Sequence, residues 1–176
     1  MPRIRPINRE EADAQTGALF DNFQQARGNV PNMYRTLAHR PEIASTLAAQ
    51  QAAVMSRGTV PALLKELIAV RVSQLNQCAY CIASHSALVE RLGGSKAQLA
   101  ALADFEQSAE FDAAAKAALR LAEQITRQPE THMDDQTWQA LSQHYDAGQI
   151  VEIVCAAAIF NYFNRINNYL DIEITR

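Results

Sequence analysis

The sequence contains no stretch in which apolar and polar residues alternate with the period of two that a half-buried β-strand shows. Alanine accounts for 31 of the 176 residues, whereas glycine and proline contribute only six each. Such a composition favours helices, because alanine is the strongest helix former and breakers are rare. We therefore predict an all-α fold. Since no linker, repeat or low-complexity tract divides the chain, we expect one helical domain over residues 1–176.

Caps and breakers predict where the helices begin and end. Asn8 and Glu11 have the spacing of a capping box at the start of a first helix, which Gly28 ends. Asn32 is expected to cap a second, short helix, and Pro41 to lie in the first turn of a third that Gly58 closes. Further helices are predicted over about 61–75, 78–92, 95–104, 111–127, 134–145 and 149–170.

The charge pattern and the apolar runs exclude several classes of partner. The formal net charge is −3, with no long block of like charge, so neither nucleic acid nor an anionic membrane surface is expected as a partner. The longest apolar run, Ile153 to Phe160, is far too short to span a bilayer. The basic residues near the amino terminus are not followed by the apolar run of a secretory signal. We expect a cytoplasmic protein whose three cysteines are reduced.

The residues most suited to chemistry lie between Glu66 and His85. Cys78 and Cys81 are three apart in what is predicted to be the first turn of a helix, where the helix dipole and free N–H groups favour a thiolate. His85 lies one turn beyond Cys81 on the same helical face, so it can exchange a proton with that thiol. Glu66 belongs to the preceding helix. If a break at Asn76-Gln77 folds the two helices together, the Glu66 carboxylate can orient His85.

The full spacing of Glu66, Cys78, Cys81 and His85 resembles the signature of the AhpD-like alkylhydroperoxidases, in the carboxymuconolactone decarboxylase superfamily. The resemblance implies an AhpD-like helical bundle and a peroxidase that acts on organic hydroperoxides without a cofactor or a metal ion. It implies that Cys81 attacks the peroxide, that Cys78 forms a disulfide with it, and that His85 and Glu66 relay protons. Tyr80 stands where some relatives have a histidine, which is a departure from the pattern.

The resemblance also implies partners: a lipoyl-type or thioredoxin-like dithiol as reductant, and further copies of the chain in a homo-oligomer. The final helix is apolar on several faces, so we expect Phe160, Phe163 or Tyr169 near subunit contacts. Nearby polar residues on this helix are interpreted as packing at an interface, or less favourably as a pocket mouth: Asn161, Asn164, Arg165 and Asn168.

Four other functions remain open from the sequence. The cysteine pair would also suit a general thiol-disulfide oxidoreductase or a non-catalytic redox sensor. With His85 and either His144 or Cys155 it could form a zinc site, although structural zinc usually draws a second cysteine pair. Lactone decarboxylation, the other chemistry of the superfamily, is disfavoured because that branch does not depend on a cysteine pair.

Overall fold

Helices make up the regular structure of residues 1–175, which are the residues that a computed structural model of the protein describes. This part of the chain contains no β-strand, which confirms the all-α prediction. Short 3₁₀ segments at Arg9–Glu11 and Leu102–Gln107 accompany nine α-helices within the same residues. The helices are α1 (Ala14–Arg27), α2 (Asn32–Leu37), α3 (Pro41–Met55), α4 (Ala62–Leu75), α5 (Ala79–Arg91), α6 (Lys96–Ala101), α7 (Ala113–Arg127), α8 (Asp135–Ser142) and α9 (Ala147–Tyr169).

Helix α4 lies at the centre of the bundle. Every residue from Leu64 to Ser73 is buried, and α5, α7 and α9 pack around this helix. A helix that is enclosed on all sides needs apolar residues around its whole circumference, which explains why α4 has no clear polar face. The largest fully buried apolar side chains of the main core come from α2, α4, α7 and α9 and from the segments beside them: Tyr34, Ile68, Leu102, Leu119, Leu121, Leu141, Ile153, Phe160 and Phe163.

The start of the first helix was predicted wrongly. The capping box of Asn8 and Glu11 is present, but it closes only the 3₁₀ turn Arg9–Glu11. Ala12 then adopts an extended backbone, and Asp13 caps α1 by accepting a hydrogen bond from the Thr16 N–H at 2.8 Å. Asn32 was also misassigned, because it is the first residue of α2 rather than its cap.

A buried ion pair fixes the loop between α3 and α4. The Lys65 side chain is 1% exposed, and its Nζ lies 2.6 Å from a carboxylate oxygen of Glu152 on α9. Lys65 also donates to the carbonyls of Val54 and Arg57. Glu152 in turn accepts the backbone N–H groups of Thr59 and Val60, so the pair satisfies the loop's polar groups in the interior.

The apolar residues of α9 divide between core and surface. Phe160 and Phe163 are buried in the core of the same chain, whereas their expected closeness to subunit contacts stays a prediction. Tyr169 is 85% exposed and Tyr162 is 48% exposed. Within residues 1–175, no helix combines the length and the apolar character that crossing a membrane requires.

Candidate active site

The turn between α4 and α5 brings the four candidate residues together. Helix α4 ends at Leu75, Gln77 adopts a left-handed backbone with φ of 53°, and the Cys78 N–H then donates to the Ser73 carbonyl at 2.9 Å. The reversal packs α5 closely against α4. Glu66 on α4 thereby reaches His85 on α5, although 19 positions separate them in the chain.

A second set of contacts holds this turn from outside. The Asn76 amide donates to the side-chain oxygens of Asn161 and Asn164 on α9, both at 2.9 Å. Asn164 donates to the Ser73 hydroxyl, and Asn168 donates to the Asn76 carbonyl. These asparagines therefore pack within the chain against the α4–α5 turn, which corrects their interpretation as a subunit interface.

The two cysteines form a close, buried dithiol. Cys78 is the N-cap of α5, and its Sγ accepts a hydrogen bond from the Cys81 N–H at 3.4 Å. The two Sγ atoms lie 2.7 Å apart and share a hydrogen bond. Cys78 is fully buried and Cys81 is 2% exposed. The pair is therefore placed to share one proton and, after oxidation, to form a bond.

The negative charge of the pair is favoured on Cys78. The hydrogen bond with the Cys81 thiol outweighs burial and, with the N–H groups of the first helical turn, lowers the pKa of Cys78 to about 7. The same hydrogen bond, together with burial and repulsion from the Cys78 charge, raises the pKa of Cys81 well above its ordinary value. Near neutral pH the singly ionised pair thus carries its proton mainly on Cys81.

Glu66 and His85 form a buried acid–base pair. The His85 Nδ1 lies 2.6 Å from a Glu66 carboxylate oxygen, and both side chains are about one-tenth exposed. The edge of the Phe160 ring meets the imidazole with ring centroids 4.5 Å apart. A neutral imidazole that donates from Nδ1 to the carboxylate leaves Nε2 as the nitrogen that can exchange a proton.

A pocket of about 260 Å³ opens beside the second cysteine. Cys81 and His85 both line it, whereas Cys78 is not among its lining residues. Aromatic and apolar side chains form most of the remaining wall, chiefly Met33, Tyr34, Tyr80, Leu88, Phe160 and Phe163. The pocket therefore presents one sulfur, and one histidine, to a small molecule.

Asn167 on α9 is a site residue that sequence reasoning missed. Its Nδ2 lies 3.2 Å from the Cys81 Sγ and 2.9 Å from the Phe163 carbonyl, and the side chain is buried. Its Oδ1 is buried with no hydrogen-bond partner among the described residues. One feature of the sequence could have revealed it. Asn167 lies on the same helical face as Phe160 and Phe163, where a residue that faces the core is usually apolar.

Tyr80, between the two cysteines, lines the same pocket as Cys81, and its hydroxyl is held by other residues. Its hydroxyl lies 3.1 Å from the Thr175 hydroxyl and 3.4 Å from the Met33 backbone nitrogen, which donates to it. Thr175 also accepts the Asn32 N–H at 2.9 Å. Burial raises the pKa of Tyr80. Tyr80 thus anchors the carboxyl-terminal segment beside the pocket as a neutral phenol.

Metal binding finds no support in the geometry. Among residues 1–175, no group of three or more His, Cys, Asp or Glu side chains is arranged to hold a metal ion. The zinc site considered from the sequence, with His144 or Cys155 as a fourth ligand, is therefore not formed by these residues.

Comparison with known proteins identifies the family. The model of the carboxymuconolactone decarboxylase family matches residues 41–124, a region that contains all four candidate residues. The protein YdfG of Bacillus subtilis is 34% identical over 103 residues, which cover 58% of this chain and 70% of YdfG. YnjA of Escherichia coli is 30% identical over 116 residues, which cover 66% of this chain and 63% of YnjA. The chain belongs to the carboxymuconolactone decarboxylase family.

Solved structures show the same fold. A peroxidase-related protein from Ralstonia eutropha with an alkylhydroperoxidase AhpD core superposes with a TM-score of 0.90 at 23% identity, over 99% of this chain and 92% of its own. The debrominase Bmp8 superposes with a TM-score of 0.84 at 26% identity, over 97% and 90% of the two chains. These likenesses confirm the expected AhpD-like fold.

Proposed function

We propose that the protein is a thiol-dependent peroxidase that reduces organic hydroperoxides through a disulfide cycle of Cys78 and Cys81. The observation that carries this proposal is the placement of one sulfur of a close dithiol in a pocket beside a buried Glu66–His85 pair. A peroxidase-related role also agrees with the names of two structural relatives, from Ralstonia eutropha and from Silicibacter.

The first step is attack by the Cys81 sulfur on the outer peroxide oxygen. The proton that Cys81 carries in the ionised pair passes to Cys78 over the 2.7 Å between the sulfurs, which frees the Cys81 thiolate. The O–O bond breaks, the sulfur takes one oxygen as a sulfenic acid, and the alkoxide leaves. His85, which in this scheme holds on Nε2 the proton that the dithiol lost when it ionised, gives that proton to the alkoxide, and the alcohol forms. General acid catalysis of this kind contributes about 10²- to 10⁴-fold.

The second step closes the disulfide. The Cys78 sulfur attacks the Cys81 sulfur, the S–O bond breaks, and the departing hydroxide is protonated to water. A dithiol, either lipoyl-bearing or thioredoxin-like, then restores both thiols by two thiol–disulfide exchanges. One hydroperoxide and one dithiol are consumed for each alcohol, water and external disulfide formed.

Reductive debromination is a second candidate. The debrominase Bmp8 is 26% identical to this chain, and a structure of a cysteine-to-alanine variant of Bmp8 holds 2,3,4-tribromopyrrole. A dithiol can supply the two electrons of that reaction: the carbon–bromine bond breaks, bromide leaves, a proton takes the place of bromine on the carbon, and the dithiol becomes a disulfide.

Steady-state turnover with several acceptors distinguishes these functions. With dihydrolipoamide or reduced thioredoxin supplied, the proposal predicts rapid consumption of cumene hydroperoxide and slow reduction of insulin disulfides. Faster release of bromide from brominated pyrroles would favour debromination. Faster insulin reduction would favour a general oxidoreductase, and a single oxidation without turnover would indicate a redox sensor. The Cys81→Ser variant is the control for each rate.

A further inference from the structure

Two arginines line the pocket beside Cys81, and none of the described residues that line it is acidic. Arg27 and Arg91 are exposed and line the pocket together with Cys81 and His85. The pocket lining drawn from residues 1–175 contains no aspartate or glutamate. The whole chain carries a formal charge of −3, so this pocket differs in sign from the average surface.

Both guanidinium groups are free to bind a ligand. Within the described part of the chain, neither has an ion-pair partner within 4 Å or a hydrogen-bond acceptor. Some other exposed arginines are paired, such as Arg9 with Asp21 and Arg120 with Glu106. Arg40 and Arg57 also have no ion pair among the described residues, but they do not line this pocket. Arg27 packs instead over the Phe23 ring, with its Cζ 5.8 Å from the ring centroid.

Helix position alone does not explain this arrangement. Arg27 and Arg91 are the last residues of α1 and α5, where a positive charge complements the helix dipole. That accounts for a basic residue at each helix end. It does not account for two different helices directing their unpaired charges to the same pocket.

Helix α5 also sets the distance between the reacting sulfur and the charge. Cys81, Ser84, His85, Leu88 and Arg91 all line the pocket, and their spacing places them along one face of the helix. Ten residues of helix at about 1.5 Å each separate the first and last by about 15 Å. Long side chains on a helix tend to lean toward its start, so the span from the sulfur to the Arg91 guanidinium group is expected to be shorter than this. A ligand in which an aromatic ring separates the hydroperoxide from an anionic group would span the distance between the Cys81 sulfur and the Arg91 guanidinium group.

We propose that the substrate is an organic hydroperoxide that carries a carboxylate, which Arg27 and Arg91 bind while the peroxide meets Cys81. The inference rests on the proposed peroxidase function and adds the chemical class of its substrate. Guanidinium groups suit this role because they bind carboxylates through two parallel hydrogen bonds. The apolar wall between the two ends would hold the hydrocarbon part.

A matched pair of peroxides tests the proposal. The probes are 4-carboxycumene hydroperoxide and its methyl ester, which share the peroxide and the ring but differ in charge. The second-order rate constant of dithiol oxidation is measured in a single turnover without reductant. We expect the acid to react about tenfold faster than the ester at low ionic strength, as two partly screened ion pairs imply. This preference should decrease as salt is added.

Variants then assign the preference to the two arginines. The double variant Arg27→Gln/Arg91→Gln should react with both peroxides at rates within about twofold of each other. Arg57→Gln is the matched control, since Arg57 is exposed on the α3–α4 loop and is not among the pocket-lining residues. It should keep the full preference.

The alternatives give distinct results. If the ester oxidises the dithiol and the acid is no faster, the substrate inference is wrong while the peroxidase function stands. If neither peroxide oxidises it, both fail. Should the double variant keep its preference for the acid but react slowly with a reduced lipoyl-bearing domain, the arginines would belong to a docking surface for an acidic reductant, and the inference would be overturned.

Discussion

Replacement of Asn167 by alanine should slow peroxide reduction without changing the pH at which the dithiol ionises. The Asn167 amide lies 3.2 Å from the Cys81 sulfur and so stabilises negative charge there. The charge of the ionised pair is favoured on Cys78, whose pKa is about 7. Loss of the amide therefore reduces the small share of molecules that carry the charge on Cys81, whereas the ionisation of the pair as a whole stays near pH 7.

The size of the effect follows from the strength of that contact. A hydrogen bond to a charged group is worth about 1.5–3 kcal/mol. This corresponds to a loss of about 10- to 100-fold in the Cys81 thiolate. A more basic thiolate is intrinsically more reactive, with a Brønsted slope of about 0.4–0.5 for thiol exchange. If the same slope holds for peroxide, the net decrease in rate is about 3- to 15-fold.

The assay is stopped-flow oxidation of the reduced protein by cumene hydroperoxide between pH 5.5 and 8.5. In the wild type the rate should rise as the pH increases through about 7, because the pair must lose a proton before attack. The Asn167→Ala profile should be lower at every pH with the same midpoint. Asn22→Ala, which removes an exposed amide on α1 that does not line the pocket beside Cys81, is the control.

Two results would refute this reasoning. An unchanged rate in Asn167→Ala would show that the amide does not assist the reacting sulfur. A midpoint shifted upward by a full unit, with an unchanged plateau, would show that Cys81 rather than Cys78 is the group that ionises near neutral pH. Thermal unfolding of both variants establishes that they remain folded.

Three further predictions concern the cysteines, the relay and the core. In Cys78→Ser, dimedone should trap a sulfenic acid on Cys81 after one equivalent of peroxide; label confined to position 78 in the wild type would reverse the assignment. His85→Gln should lower turnover by about 100-fold or more. Adding Glu66→Gln to this variant should lower turnover little further, because the two residues act as a unit. Losses that multiply would show that Glu66 does not act through His85. Glu152→Gln should lower the free energy of unfolding by about 1.5–3 kcal/mol, since the buried Lys65 keeps its two carbonyl acceptors but loses the opposite charge, and urea titration showing a change below 1 kcal/mol would contradict this.

The sequence was sufficient for the fold class and for most helix boundaries, because composition and caps are local signals. The exception at Asn8 shows the limit of such signals: a capping box marks a turn, but only the extended backbone at Ala12 shows that this turn stops before α1. The pairing of Glu66 with His85 depended on how α4 and α5 fold together. Sequence spacing allowed that contact, and the left-handed Gln77 turn forms it.

The side chains that α9 contributes to the core and to the site could not be predicted from the sequence. For Phe160 and Phe163 the sequence favours a buried core by default and also suits an interface, since an apolar helix face does not reveal what covers it. Asn167 reaches Cys81 across 86 positions of chain, a contact that local patterns cannot encode. Assembly stays a prediction: light scattering should give a mass above the 19.5 kDa of one chain.

The most direct test of the peroxidase proposal is the stoichiometry of a single turnover. Reduced protein is mixed with one equivalent of cumene hydroperoxide, and the products are analysed by thiol titration and peptide mass spectrometry. The account predicts one cumyl alcohol for each chain, the loss of two thiols, and a disulfide between Cys78 and Cys81. Peroxide left unconsumed, or consumed with both thiols intact, would contradict it.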